Sequence, residues 1–362
     1  MAETEEQIYT DKKLDTLVYK CPNCGGEAVF DPNEQKMKCL YCESTFEIDS
    51  SRKVYEQDLQ NLLHNAVVWN EADVYQCKSC GAKEIVSKQE MAHQCPFCGT
   101  NNIIKTEELP GIQPHGVVPF KLDKEKAENI AKAWAKKKLY APRKFKKSAR
   151  SENLYGVYNP VFTFDSETKT DYNGRLGKNH YYTTYRNGKP VTETRVEYFH
   201  IKGNHVATFD DIIVQASSSI PAKNLNEIAP FPTNNAPLYK SEFLHGYSAS
   251  TYNKDGKACW HDGQNIMKNK IEAQILSKYT YDVKDYVNMN IAFLKNQYKY
   301  VLVPVYVGHY KYKNKLFNFY INGDTGKISG KTPVSGWKVF FTVLLTLLVI
   351  GGISILYFLF AD

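Results

Sequence analysis

The first fifteen residues, Met1 to Asp15, contain no apolar run and carry mainly acidic charge, so they do not read as a secretory leader. The signatures of common catalytic classes are missing too. There is no G-x-S-x-G elbow, no H-E-x-x-H pair and no glycine-rich dinucleotide fingerprint. Gly330-Lys331-Thr332 looks like the end of a phosphate-binding loop, but Thr325 stands where that motif needs glycine. An apolar segment, not a phosphate-binding helix, follows it. His180, His200 and His205 lie on or beside predicted strands and read as satisfied surface or core histidines. These absences point away from an enzyme.

Disorder is excluded as well, because 43% of the 362 residues are hydrophobic and 13% aromatic, enough for real cores. The length suggests two or three domains. The net charge of +7 is unevenly placed. Residues 121–150 hold twelve Lys/Arg against three Asp/Glu, which leaves the rest of the chain slightly negative. The basic character is a patch.

Nine cysteines fall as four C-x-x-C pairs plus Cys259. Cys21, Cys24, Cys39 and Cys42 give C-x2-C-x14-C-x2-C, and Cys77, Cys80, Cys95 and Cys98 repeat that spacing 56 residues later. The repeat extends beyond the cysteines: Val18 and Tyr19 align with Val74 and Tyr75, Gly25 with Gly81, and Val29–Phe30 with Ile85–Val86. Zinc takes four thiolates tetrahedrally at about 2.3 Å, and two residues between paired cysteines let a tight turn aim both sulfurs at one ion. Gly25, Gly81 and Gly99 follow the second cysteine of their pairs, where positive φ suits a residue without a Cβ. Glu43 breaks that pattern at the remaining knuckle. The expectation is two zinc ribbons, each holding one structural Zn2+ in a closed four-thiolate shell. His93 sits two residues before Cys95 but reads as a strand residue, since four cysteines already complete the site. Cys259 and His261 flank Trp260, with His245 upstream; a single buried cysteine beside an aromatic is the simpler reading of that group.

Val339 to Ala361 is 23 residues without a charge, about 34 Å of helix against a hydrocarbon core of about 30 Å. Trp337 and Tyr357 are placed as interfacial anchors. Lys327, Lys331 and Lys338 precede the segment and nothing basic follows it. The positive-inside rule then keeps the bulk of the chain in the cytoplasm. The expected arrangement is a single-pass tail anchor in the cell membrane, with the C-terminus on the far side.

Between these landmarks, residues 51–70 read as a linker helix, with Leu59, Leu62, Leu63 and Val67 at helical spacing. A second helix is predicted over 123–139, with Asp123 as N-cap and a stripe of Ala127, Ile130, Ala131, Trp134 and Ala135. The basic run continues through Arg143, Lys144, Lys146, Lys147 and Arg150. From Leu154 the pattern turns to strands. Asn187–Gly188 marks a hairpin, Gly203–Asn204 a further turn, Asn314 a third, and Asn322–Lys327 another reversal. A helix near 263–278 is marked by Met267, Ile271 and Ile275. Residues 220–260, rich in Pro and Asn, carry no clear pattern. The expected class is α+β and multidomain. Its parts are zinc ribbon 1 (1–50), the linker helix (51–70), zinc ribbon 2 (71–110), the basic amphipathic segment (111–150), a mostly antiparallel β-rich domain (151–335) and the transmembrane helix (336–362).

These features resemble a bacterial family of TFIIB-type zinc ribbon-containing membrane proteins, the YdjG-like family. The likeness covers the two ribbons, Val118-Pro119-Phe120-Lys121, Gly156-Val157-Tyr158-Asn159-Pro160, the Asn322–Lys327 turn and the anchor. The resemblance implies partners among SPFH-domain and phage-shock-type membrane proteins, and a role in envelope stress or membrane-domain organisation. The eight paired cysteines carry over as zinc ligands. The function expected is that of a membrane-anchored adaptor holding protein partners at the bilayer. The alternative is a membrane-tethered nucleic-acid binder, since Tyr140 and Phe145 interleave the basic run as stacking residues do. The same run could equally meet anionic lipid.

Overall fold

A computed structural model describes residues 19–64, 74–85, 94–106, 112–148, 154–313 and 315–360. Val18, Val67, Val86, His93, Arg150 and Asn314 lie outside the described residues, as do the two termini. The chain begins with a four-stranded antiparallel sheet, β1 (Tyr19–Lys20), β2 (Glu27–Asp31), β3 (Lys36–Cys39) and β4 (Thr45–Glu47), in sequential order. Then come β5 (Gln57–Asp58) and helix α1 (Leu59–His64). The helix expected over 51–70 is therefore shorter at its start, because Gln57 and Asp58 pair as a strand with Tyr298 and Gln297. Strands β6 (Val74–Cys77), β7 (Lys83–Ile85), β8 (Ile103–Thr106) and β9 (Gly116–Val117) follow, then helices α2 (Lys124–Lys137) and α3 (Arg143–Ser148).

Three long strands dominate the rest. β10 (Leu154–Arg186) and β11 (Lys189–Gln215) form one hairpin, closed by Asn187 at φ 54° and Gly188 at φ 75°, both left-handed as a two-residue turn of this type requires. Helix α4 (Ala222–Ile228), strand β12 (Ser248–Ser250) and helix α5 (Gly256–Leu276) lead to β13 (Val283–Tyr312), which lies antiparallel on the other edge of β10. β14 (Lys315–Asn322), β15 (Ile328–Gly330) and helix α6 (Gly336–Phe360) complete the chain. All strands from β5 onward belong to one sheet of 11 strands, antiparallel except where β12 pairs β10 and β9 pairs β13.

The turn expected at Gly203–Asn204 does not form. β11 runs straight through it, with Gly203 opposite Tyr172 and Asn204 opposite Asp171. A Cβ at Gly203 would stand 2.8 Å from the Tyr172 hydroxyl, so the glycine makes room for the neighbouring ring instead of bending the chain.

The burial pattern along β10 divides the sheet into three zones. From Val157 to Phe164 every residue is buried, which means that both faces are covered. On one face Tyr158, Phe162 and Phe164 join Tyr300, Leu302 and Tyr306; on the other Val157 and Val161 join Val301, Val303, Val305 and Val307. At the next level, bulges coincide in the three strands. Asp211 and Lys295 take left-handed φ of 50° and 48°, and the register shifts past Asp165 and Ser166. Beyond them β10 alternates, burying Thr168, Thr170, Tyr172 and Leu176 beneath α5. α5 offers a stripe at every fourth position: Cys259, Gly263, Met267, Ile271 and Ile275. Past Gly177 β13 has ended, and only the β10–β11 hairpin continues with both faces in solvent. Tyr181, Tyr182 and Tyr185 are exposed there.

α2 starts where the sequence puts it. Asp123 accepts from the Lys126 N–H at 2.7 Å, and Ala127, Ala131 and Ala135 are buried. Phe145 of α3 is buried 5.2 Å from Tyr310 and 6.1 Å from Trp134, so its ring is closed to a nucleic-acid base. α6 is the one helix among the described residues that is long and apolar enough to cross a membrane.

Candidate metal centres

The structure gathers the eight paired cysteines into two groups, Cys21, Cys24, Cys39 and Cys42, and Cys77, Cys80, Cys95 and Cys98. Three of the four knuckles are closed by the same backbone bond. In the first, the Gly25 N–H donates to the Cys21 carbonyl at 2.8 Å and the Cys21 N–H to the Gly26 carbonyl at 2.7 Å. Gly81 with Cys77, and Gly99 with Cys95, repeat the first bond at 2.8 Å. The residue after the second cysteine is left-handed in all four: Gly25 at φ 72°, Glu43 at 56°, Gly81 at 76° and Gly99 at 71°. Glu43 departs from the glycine pattern in identity and not in conformation.

The sulfur geometry tests what the groups can hold. Sγ–Sγ distances are 3.6 Å for Cys21–Cys42, 3.5 Å for Cys24–Cys39, 3.5 Å for Cys77–Cys98 and 3.7 Å for Cys80–Cys95. A disulfide requires about 2.05 Å, and all nine cysteines are free. Four thiolates at about 2.3 Å from one tetrahedral ion stand about 3.8 Å apart. The residues present therefore fit a metal ion, and an S4 donor set suits zinc or iron.

Hydroxyls that the cysteine spacing does not reveal sit beside the sulfurs. Ser44 Oγ is 3.2 Å from Cys42 Sγ, and Thr100 Oγ1 is 3.2 Å from Cys98 Sγ. The two lie 56 residues apart, at the same offset in the repeat as the cysteines. The Ser44 side chain and N–H draw the Cys42 thiol down to about 6, toward the thiolate that a metal binds. The Tyr41 and Cys42 N–H groups point at Cys39 Sγ from 3.4 and 3.5 Å.

The two centres, adjacent in sequence, serve opposite faces of the long sheet. Cys21 and Cys39 pack in the cluster with Phe30, Phe162 and Tyr306, whereas Cys77 and Cys95 pack with Phe97, Val301 and Val305. The first module docks through Phe30, which meets Phe243 at 5.4 Å and donates its N–H to the His245 carbonyl. The second shares the main sheet itself, since Ile85 of β7 pairs Ala249 of β12. It is also braced by Asn318, which donates to the Phe97 carbonyl at 2.9 Å.

Other candidate ligands fall elsewhere. Cys259 is buried in the α5 stripe with Sγ 3.9 Å from the Gln215 carbonyl, and burial raises its thiol to about 11. His261 bonds Asn265 on the surface, and His245 lies beside Tyr19, so the three do not converge. His180 pairs with Glu197 and His205 with Gln274. A third group, of carboxylates, Asp165, Asp210 and Asp211, sits at the bulge. Its cation is internal: the buried Lys299 ammonium lies 2.8 Å from Asp211 and 2.9 Å from Glu56.

The fold and sites thus define a β-rich protein with two tetra-cysteine centres and one candidate membrane-spanning helix at its C-terminal end. No family model and no solved structure matches the chain. Among curated proteins it is similar to the uncharacterized protein YdjG of Bacillus subtilis (strain 168), at 28% identity over 330 residues, 89% of this chain and 92% of that protein.

Proposed function

We propose that this chain is a membrane-anchored zinc-ribbon adaptor that holds protein partners at the cytoplasmic face of the bilayer. The observation that carries the reading is the coexistence of two four-sulfur groups with one apolar helix that is unburied from Gly336 to Ile353. In each centre the ion is zinc, as the spacing of paired knuckles around a hairpin favours. Bound zinc supplies folding free energy, on the order of 10–16 kcal/mol in small modules. With four thiolates the shell has no position for water or substrate, so the cysteines shape a surface and do no chemistry.

α6 spans the membrane, its 25 residues giving about 37 Å of helix. Lys327, Lys331 and Lys338 at its entrance hold the body in the cytoplasm. Tethering then raises the effective concentration of any partner in that plane. The exposed tyrosines of the β10–β11 hairpin supply aromatic contact area of the kind that dominates protein interfaces. Partners of the SPFH or phage-shock type follow from the family resemblance. The nucleic-acid alternative loses one of its two proposed stacking residues to the core, Phe145.

The test is localisation. Deleting the protein should disperse the membrane foci of such a partner, and the full chain should restore them. A chain lacking residues 336–362 should bind the partner yet leave it dispersed. Full restoration by the truncated chain contradicts the recruitment role.

A further inference from the structure

The first turn of α6 is fastened to the connection between α2 and α3. Ser335 donates its N–H to the Tyr140 carbonyl at 2.9 Å, and Lys338 Nζ donates to the carbonyls of Leu139 at 3.2 Å and Ala141 at 2.7 Å. Nearly the whole β-rich body separates these residues in sequence, yet the basic segment and the apolar helix entrance are neighbours.

Charge is sorted along that segment. Its acids, Asp123, Glu125 and Glu128, all lie at the N-cap or in the first half of α2. There Asp123 meets Lys126 at 3.5 Å and Glu128 meets Lys132 at 2.6 Å, while Asp324 meets Lys121 at 2.6 Å. No Asp or Glu occurs between Asn129 and Arg150. Among the described residues no ion pair reaches Lys137, Lys138, Arg143 or Lys144, and the Lys138 ammonium lies 4.9 Å over the Trp134 ring. These cations flank in sequence the three residues, Leu139, Tyr140 and Ala141, whose carbonyls bond the α6 entrance. Apolar side chains share the surface: Leu139 and Trp337 are each 69% exposed and Val334 is 60% exposed. Cations beside apolar groups are the composition of a surface lying at the boundary of headgroups and acyl chains.

We propose that Lys137, Lys138, Arg143 and Lys144, with Leu139 and Trp337 beside them, bind the phosphate headgroups of anionic lipids in the leaflet that α6 enters. This rests on the reading of α6 as a membrane span. The bonds from Lys338 and Ser335 leave no long linker between helix and body, so the patch is held at the bilayer surface. The four cations are distributed around a turn and accompanied by exposed apolar side chains, which suits a lipid layer better than one small free anion.

The test uses the full chain reconstituted in phosphatidylcholine vesicles with a trace of spin-labelled phosphatidylglycerol or spin-labelled phosphatidylcholine. The motionally restricted fraction of each label is read by electron paramagnetic resonance. Association of the anionic lipid should exceed that of the zwitterionic one about fivefold, the effect of one cation held at the headgroups. The preference should fall to near parity in high salt and in a K137Q/K138Q/R143Q/K144Q chain that keeps its metal content. Equal association in the unsubstituted chain, with the protein still resisting alkaline carbonate extraction, overturns the headgroup site and leaves the span intact. Extraction by carbonate overturns both. A preference retained by the substituted chain places the effect elsewhere and also overturns the assignment. So does loss of preference when inorganic phosphate replaces chloride at constant ionic strength, which assigns the cations to free phosphate. Displacement by a duplex oligonucleotide alone assigns them to nucleic acid.

Discussion

The ring of His309 occupies the space where a side chain on Gly99 would lie: a Cβ there would overlap His309 Nε2. His309 in turn stacks on Tyr155 at 5.8 Å, so a knuckle of the second tetra-cysteine centre is seated directly on the central strands. Gly25 and Gly81 share its left-handed φ but have open space around them.

The glycines should therefore differ in a predictable order. Gly25→Ala and Gly81→Ala meet only the backbone cost of a left-handed L-residue, roughly 1–2 kcal/mol. Gly99→Ala adds the displacement of a stacked ring. Chelator titration should release metal from the second centre more readily in Gly99→Ala than in Gly81→Ala. Glu43→Gly, which relieves the same backbone cost at the first centre, should be neutral or gain up to about 1 kcal/mol. Equal behaviour of Gly81→Ala and Gly99→Ala would mean that His309 moves aside freely.

A chain ending after Ser335 should be recovered in the soluble fraction, while the full chain requires detergent. Gly336–Ile353 of α6 has no buried residue, so removing the helix sacrifices few contacts among the described residues, those of Lys338 with Leu139 and Ala141 being examples. Persistence of the shortened chain in the membrane fraction would show that lipid or partner contacts rival the helix.

Acid should weaken the fold through His115. Burial pushes its imidazole down to about 4, and Nδ1 accepts the Tyr300 N–H at 3.2 Å, so the folded state holds the ring neutral. In the unfolded chain the ring takes a proton near pH 6.5. The unfolded state thus binds more protons between about 6.5 and 4. The contribution is fully present above about 6.5 and is lost as pH falls toward 4, on the order of 3 kcal/mol in all. His115→Asn, whose side-chain oxygen can accept the same N–H, should flatten that dependence. The comparison is made at equal metal loading, since acid also protonates thiolates. Parallel pH profiles for the two chains would contradict this role of His115.

The tip of the β10–β11 hairpin should matter for partners and little for stability. Replacing residues 181–194 by Asn-Gly rejoins His180 and Arg195, which already pair, and removes Tyr181, Tyr182 and Tyr185 from solvent. An isolated two-stranded ribbon adds little stability. The melting temperature should hardly change, and recruitment of the partner should be lost. A large drop in melting temperature would assign the tip a structural role instead.

Local signals were legible wherever the chemistry is local. The cysteine pairs, the Asn187–Gly188 hairpin and the Asp123 cap each depend on residues a few positions apart, and the structure has them. Signals misled where a distant residue decides. Gly203–Asn204 reads as a turn until the Tyr172 ring across the ladder is seen to need that glycine. Cys259, by contrast, is the buried cysteine that the simpler reading gave, one of five residues in the α5 stripe. Phe145 reads as exposed among lysines, but Tyr310 and Trp134 enclose it. The position of the basic segment beside α6 rests on Lys338 and Ala141, 197 residues apart, and no periodicity carries that. The repeat likewise hides that its two copies pack on opposite faces of one sheet.

Metal analysis of the full chain purified in detergent tests most directly whether each tetra-cysteine centre holds its own zinc ion. Two zinc ions per chain are predicted, with Cys21→Ser and Cys77→Ser each losing one and leaving the other in place. One ion shared by both modules, iron in place of zinc, or no bound metal would contradict that prediction.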